Sequence, residues 1–202
     1  MPMQMTTVEP EIAGEGAAYT YRPSVMGAGW TFKLTGEGIV WTAGARKGLV
    51  PFDKVRRLRM SYVPISMQSH RFVTELWSAD GTKLRIVSTS WRSMAEQVRQ
   101  DAPYAAFVAE LHRRIAESGV PVRCEQGRAV WLYWPGVAVF AGVALGLAVL
   151  IVRALQAGAL AGALFVAAFL ALFLWQAGNL FRRNLPGLYR ADAPPPALMP
   201  KA

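Results

Sequence analysis

From Trp30 onward, apolar and polar residues alternate. Trp30, Phe32 and Leu34 are interleaved with Thr31, Lys33 and Thr35, the period of a strand with one buried face. Gly36-Glu37-Gly38 interrupts the run and Ile39 and Trp41 resume it, which predicts a β-hairpin. A second hairpin is predicted from Arg71–Trp77 and Lys83–Thr89. There Phe72, Leu76, Leu84 and Ile86 are the apolar positions and Glu75, Lys83 and Arg85 the polar ones, with Asp80-Gly81 suited to the tight turn between. Gly44 to Gly48 reads as a polar loop carrying Arg46 and Lys47. Leu49 to Met60 has two readings. The spacing of Phe52, Val55 and Leu58 hints at a helical turn around Asp53, whereas Val55 to Met60 fits a charged edge strand; a strand with a bulge is favoured.

After Thr89 the period changes. Ser93 with Glu96 three residues on is a capping pattern that predicts a short helix. Asp101 to Ser118 is an amphipathic helix: Tyr104, Phe107, Val108, Leu111 and Ile115 form one stripe, and Glu110, Arg113, Arg114 and Glu117 another. Asp101 is the expected N-cap, and Gly119 with Pro121 ends the helix.

Beyond residue 130 the alternation disappears. Trp131 to Val152 carries no charged side chain, and as a helix it would reach roughly 33 Å, about the thickness of a hydrocarbon core. A second run, Ala159 to Trp175, is extended by Leu180 and Phe181, and Arg153 is the charge between the runs. Both are apolar all round, unlike a core helix with one buried stripe. Trp131, Tyr133, Trp134 and Trp175 lie near the run ends, as interfacial anchors do, and Pro135 is expected in the first turn. Gly142 and Gly146, and likewise Gly158 and Gly162, are four apart. That spacing lets helix backbones approach closely, either between the two spans or in a homodimer.

These patterns divide the chain into a flexible arm (1–27) in which Tyr19 and Tyr21 can start a strand, a soluble domain (28–119), a linker (120–130), a transmembrane hairpin (131–181, with spans 131–152 and 159–181) and a Pro-rich tail (182–202) that is extended and unpacked from Pro186. The net charge is +9, and 17 of the 22 Lys/Arg precede residue 131. Arg113, Arg114, Arg123 and Arg128 precede the first span and Arg182, Arg183 and Arg190 follow the second. Both termini are therefore expected in the cytoplasm, in a multi-pass protein of the inner (plasma) membrane. Met1 to Tyr21 lacks the basic start and apolar stretch of a signal peptide, so the first span is the expected insertion signal.

Little reactive chemistry is visible. Cys124 is the lone cysteine, and His70 and His112 are the two histidines, with no metal-ligand spacing among them; neither metal nor cofactor is expected. The glycine pairs lack the third glycine of a dinucleotide loop, and there is no P-loop lysine or GxSxG serine. Asp53, Glu75, Asp80 and Asp101 each have a strand, turn or cap role, and no catalytic residue is expected. The one candidate contact set is basic: Arg46, Lys47, Lys54, Arg56, Arg57 and Arg59, whose forks and ammonium groups suit anionic headgroups or an acidic partner. Nucleic acid is not an expected partner, because Trp30, Phe32, Trp41 and Phe72 alternate as core positions rather than among the basic ones.

A hairpin, further strands, an Asp-Gly hairpin and one amphipathic helix make an α+β arrangement, an antiparallel sandwich or partly open barrel capped by a helix. With Val50-Pro51-Phe52-Asp53-Lys54-Val55-Arg56-Arg57-Leu58 feeding its middle, it resembles over residues 28–118 the bacterial pleckstrin-homology-like domains found beside transmembrane hairpins. That resemblance implies a non-enzymatic scaffold for contact with a protein or a lipid headgroup. The alternative is an accessory subunit whose spans pack on a larger membrane complex.

Overall fold

The computed structural model describes residues 16–64, 70–93 and 96–200. Its first sheet has the order β1-β2-β3-β4, all antiparallel: β1 Ala18–Tyr21, β2 Trp30–Leu34, β3 Gly38–Ala43 and β4 Arg46–Pro51. Of the arm expected over 1–27, residues 1–15 lie outside the described residues. Within the remainder, the strand start at Tyr19 and Tyr21 is present as β1, which buries both rings, so this segment is part of the fold rather than loose. The predicted hairpin is present as β2 and β3. The loop expected at Gly44–Gly48 is shorter: Ala43 already pairs with Arg46, and Gly44 takes the left-handed φ of +60° that a two-residue turn needs. Arg46 and Lys47 are consequently strand residues.

Both readings of Leu49–Met60 are realised in succession. A 3-10 turn, Phe52–Lys54, buries Phe52 and leads into β5, Val55–Pro64, which is irregular between Val55 and Arg57 where it pairs with β6. Strand β5 is the centre of a second, five-stranded sheet of order β11-β10-β5-β6-β7. β6 (His70–Ser78) and β7 (Lys83–Val87) are the predicted second hairpin, with Asp80 accepting the Thr82 amide at 2.8 Å in the turn. Where Ser93 and Glu96 predict a short helix, the chain instead forms a small hairpin of β8 (Thr89–Trp91) and β9 (Gln97–Arg99). The Arg92 amide donates to the Glu96 carbonyl at 2.9 Å, a cross-strand bond that replaces the side-chain cap.

Helix α1, Asp101–Glu117, follows without a side-chain N-cap. Gln100 occupies that position, while Asp101 sits in the first turn and pairs with Arg99. Its predicted stripe is buried and meets both sheets. Tyr104, Phe107, Val108, Leu111 and Ile115 share one core with Phe32, Leu34 and Ile39 of the first sheet and Leu58, Met60, Leu76, Leu84 and Ile86 of the second. Each such side chain contributes roughly 1.5–3 kcal/mol through burial. Polar groups in this core are satisfied: the Thr74 and Tyr104 hydroxyls bond at 2.6 Å, and the Tyr19 hydroxyl donates to the Val87 carbonyl at 2.7 Å. The domain is mixed α+β, its sheets antiparallel except for one pair and open rather than closed.

That one pair lies next to the hairpin. β10, Arg123–Gln126, runs parallel to β5 inside the segment expected as a linker, and passes directly into α2, Val130–Gln156. A short turn at 157–159 leads to α3, Leu160–Arg183. The helices extend roughly 40 and 36 Å. They are long and apolar enough to cross a membrane, and the most apolar 18-residue windows of α2 and α3 are 0% and 6% buried, so neither is a core helix. Arg153 lies in the last turn of α2, and Pro135 is inside α2 rather than in its first turn, which removes the bond to the Trp131 carbonyl. Aromatic rings hold the helices together: Phe140 is 4.9 Å from Phe173 and 5.3 Å from Phe181. The glycines do not. A Cβ at Gly142, Gly146, Gly158 or Gly162 would meet nothing within 4 Å, so these positions do not pack the two helices on each other.

The tail is not unpacked. β11, Gly187–Tyr189, pairs antiparallel with β10, and a 3-10 turn at Pro196–Leu198 buries Leu198 in the domain core. Asn184 organises the return: its Oδ1 accepts the Tyr62 amide at 3.0 Å and its carbonyl accepts the Arg128 amide at 3.1 Å. Gly127 makes this approach possible, with φ +74° and space for no Cβ, which would lie 2.3 Å from the Asn184 oxygen. The hairpin is thus an insertion between two neighbouring strands, and its two ends necessarily lie on one side.

Candidate functional site

Alternation along the second sheet places Leu58, Met60, Phe72, Leu76, Leu84, Ile86 and Cys124 toward the core. The intervening residues occupy the opposite face. The strand registers align them in two rows: Arg123, Arg57, Trp77 and Lys83 in one, and Glu125, Arg59, Glu75 and Arg85 in the next. Trp77 is the hub of the first row. Its ring carries Arg57 at 4.6 Å, Lys83 at 4.8 Å and Arg59 at 5.6 Å. Contacts of this kind contribute about 0.5–1 kcal/mol each when exposed and hold the cations in place.

Glu125, on β10 one strand in from the β11 edge, gathers the arginines. Its Oε2 accepts from Arg57 Nη2 at 2.7 Å and from Arg59 Nη2 at 2.5 Å and Nε at 3.0 Å, while Oε1 accepts from Arg123 Nε at 2.9 Å. These three arginines, with Arg128, line an open pocket of about 550 Å³ whose other wall is Ala129, Val130, Trp131, Pro186, Gly187 and Leu188. Four guanidiniums face one carboxylate, and Arg57 Nε is buried without a partner among the described residues. Trp131 is 77% exposed, and Val130 and Leu188 are exposed beside it. The pocket therefore joins a strongly cationic wall to an apolar one at the first turn of α2. Such a surface can bind an anion by paired N–H donors while an attached apolar group lies along the helix.

The basic residues singled out from the sequence separate in space. Arg57 and Arg59 are in this pocket. Arg46 and Lys47 belong to the other sheet, where Arg46 lies over Trp41 at 5.9 Å. Lys54 ends the 3-10 turn with its carbonyl accepting the Ala79 amide. Arg56 falls at the irregularity of β5 and donates to the Asp53 carbonyl at 2.8 Å, which takes it out of register with Arg57. Conversely, Trp77, Arg123, Glu125 and Arg128 belong to the site but not to that basic set. The alternation Arg123-Cys124-Glu125 was the available signal, masked because residues 120–130 read as a linker.

Titratable groups behind the sheet are occupied. His112 on α1 is buried; its Nδ1 donates to the Val108 carbonyl at 2.7 Å, leaving Nε2 to accept from the Tyr189 hydroxyl at 2.9 Å. Burial holds this imidazole below its ordinary value. Burial likewise pushes the Cys124 thiol up to about 11. Among the described residues, no group of three or more His, Cys, Asp or Glu is placed to hold a metal ion. A scan against protein-family models and a search of curated proteins both find no match for this chain.

Proposed function

We propose that this chain is a two-span membrane protein whose domain lies against the bilayer surface and binds anionic lipid headgroups, without catalysis, in the arginine pocket at the root of the hairpin. The observation that carries this reading is the convergence of Arg57, Arg59, Arg123 and Arg128 beside exposed Trp131, at the start of an apolar helix. In a bilayer, Trp131 and Trp134 lie at the headgroup level, which brings the pocket to the lipid phosphates. Each basic residue near an anionic surface contributes about 1 kcal/mol. The same reading takes the domain as pleckstrin-homology-like and, from the basic residues flanking both helices, puts domain and termini on the cytoplasmic side of the inner membrane.

Because β11 and Leu198 come from beyond the hairpin, the test uses the full chain. The protein is purified in non-ionic micelles, given phosphatidylglycerol or phosphatidylcholine, and retained lipid is counted by native mass spectrometry. Retention of phosphatidylglycerol over phosphatidylcholine, reduced by Arg57→Gln and Arg123→Gln, is the expected result. Equal retention of both lipids, or a preference untouched by these variants, overturns the proposal.

A second reading, in which the helices dock on another membrane protein, draws on the open positions at Gly142, Gly146, Gly158 and Gly162. It predicts that Gly142→Leu with Gly146→Leu dissolves a complex recovered from native membranes, and fails if that complex persists.

A further inference from the structure

Toward the β7 edge of the five-stranded sheet the arginines lack, among the described residues, the carboxylate that Glu125 supplies on β10. Arg85 of β7 stands directly across from Glu75, yet the Glu75 carboxylate is taken by Lys83 at 2.8 Å. Arg71, on the same face of β6, has a buried Nε with no hydrogen-bond partner among the described residues. Among the described residues neither guanidinium meets an acid within ion-pair distance, in contrast to Arg57, Arg59 and Arg123. Burial and the charge of Arg85 hold Arg71 below the usual guanidinium range, as expected for two like charges brought together without a counter-ion.

Between them is a small cleft of about 70 Å³, lined also by Tyr21, Thr89 and Gln97. It has room for little more than two waters at about 30 Å³ each, which admits one phosphoryl group but no sugar. Gln97 Nε2 donates to Thr89 Oγ1 at 3.2 Å, so the hydrogen of that hydroxyl is available to a ligand. The Tyr21 hydroxyl is committed to the Arg85 carbonyl and fixes the strand that carries the arginine.

We propose that this cleft binds a single tetrahedral oxyanion, a phosphate or the phosphomonoester end of a lipid headgroup, gripped by Arg71 and Arg85 from adjacent strands with the Thr89 hydroxyl as a further donor. Two planar guanidinium forks lining one cleft from neighbouring strands can match the oxygens of such a group. The site shares no residue with the pocket at the root of the hairpin and stands independently of it. Both sources of the anion can reach it. Arg71 pairs with Val63, next to Tyr62, whose amide bonds Asn184 at the foot of α3, so the cleft opens near the hairpin end of the sheet.

The test is calorimetric titration of the full chain, in non-ionic micelles, with inorganic phosphate. Saturable binding to one site is expected, weakened about tenfold or more by Arg71→Gln and by Arg85→Gln, each of which removes a charge-assisted hydrogen-bond donor. Arg190→Gln, an equal change of charge on the exposed tail, leaves it unaltered. Arg85 is exposed, so its variant reports on the site even if Arg71→Gln impairs folding. Absence of saturable binding, or equal affinity in the wild type and Arg85→Gln, overturns the proposal. A second arm repeats the titration in nanodiscs of phosphatidylcholine with or without phosphatidic acid. Loss of phosphate binding only where phosphatidic acid is present supports a lipid phosphomonoester as the occupant; unchanged binding in both supports free phosphate.

Discussion

The sheet domain and the helical hairpin are built from the same apolar residue types and treat them in opposite ways. Phe32, Leu58 and Leu111 are 0% exposed in the domain, whereas Phe165, Trp175 and Leu164 are 75%, 72% and 63% exposed in the hairpin. In the domain, the cohesive free energy comes from side chains of the chain itself packing on one another. In the hairpin it must come from whatever surrounds the helices, since α2 buries only Tyr133 and α3 only Ala163, and the Phe140, Phe173 and Phe181 rings between them stay half-buried. Solvent, more than composition, separates the two regions. They are nonetheless not independent modules, because β10 enters the hairpin and β11 leaves it as paired strands of one sheet.

The sharpest test of this contrast is truncation of one aromatic in each region. Phe107→Ala should lower the unfolding free energy of the domain by about 3–5 kcal/mol, because the ring is 1% exposed and its removal leaves a cavity. Phe165→Ala, on the outer face of α3, should change it by less than about 0.5 kcal/mol. Equal losses, measured by tryptophan-monitored unfolding in micelles, would break the comparison. Next in size is Leu198→Ala, expected to cost about 2–5 kcal/mol; no change would separate the tail from the domain.

A smaller effect is tied to pH. His112 is held below its ordinary 6.5 in the fold, so the unfolded chain takes up the proton first. Its contribution is fully present above pH 6.5 and is lost as pH falls below that value. His70 is also lowered, by burial first and then by the charge of Arg99, and acts in the same direction. The unfolding midpoint should drop as pH falls below 6.5, with a shallower slope in His112→Gln than in His70→Gln because His112 is the more buried. The same slope in both variants would remove His112 as the dominant group.

The thiol of Cys124 gives a further check. Being 3% exposed and raised to about 11, it should resist maleimide at neutral pH in the folded domain and react once the domain is unfolded. Ready labelling of the native protein would show that the β10–β11 pair opens. Smallest of all, Gly142→Leu and Gly146→Leu should leave the stability of the isolated protein within about 0.5 kcal/mol, since the added side chains have open space. A larger loss would show that these glycines do pack inside the hairpin.

Periodicity by itself determined the strands of both hairpins, the stripe of α1 and the two apolar helices, because each is a local pattern repeated over a whole element. It also picked out Arg57 and Arg59, though inside a set of six that the fold divides. What only the tertiary structure decided involves residues distant along the chain. The three-residue strands β8, β9 and β11 are too short to carry a period, and β10 looks like a linker until Tyr189 arrives opposite Cys124, across the hairpin. The pocket has the same origin. Glu125 lies 66 residues from Arg59, and Leu188 reaches the same wall only because Asn184 brings the chain back to Tyr62. Local sequence sets which face of an element is apolar; which elements become neighbours is decided by the burial they achieve together, and the arginine pocket is a product of that second choice.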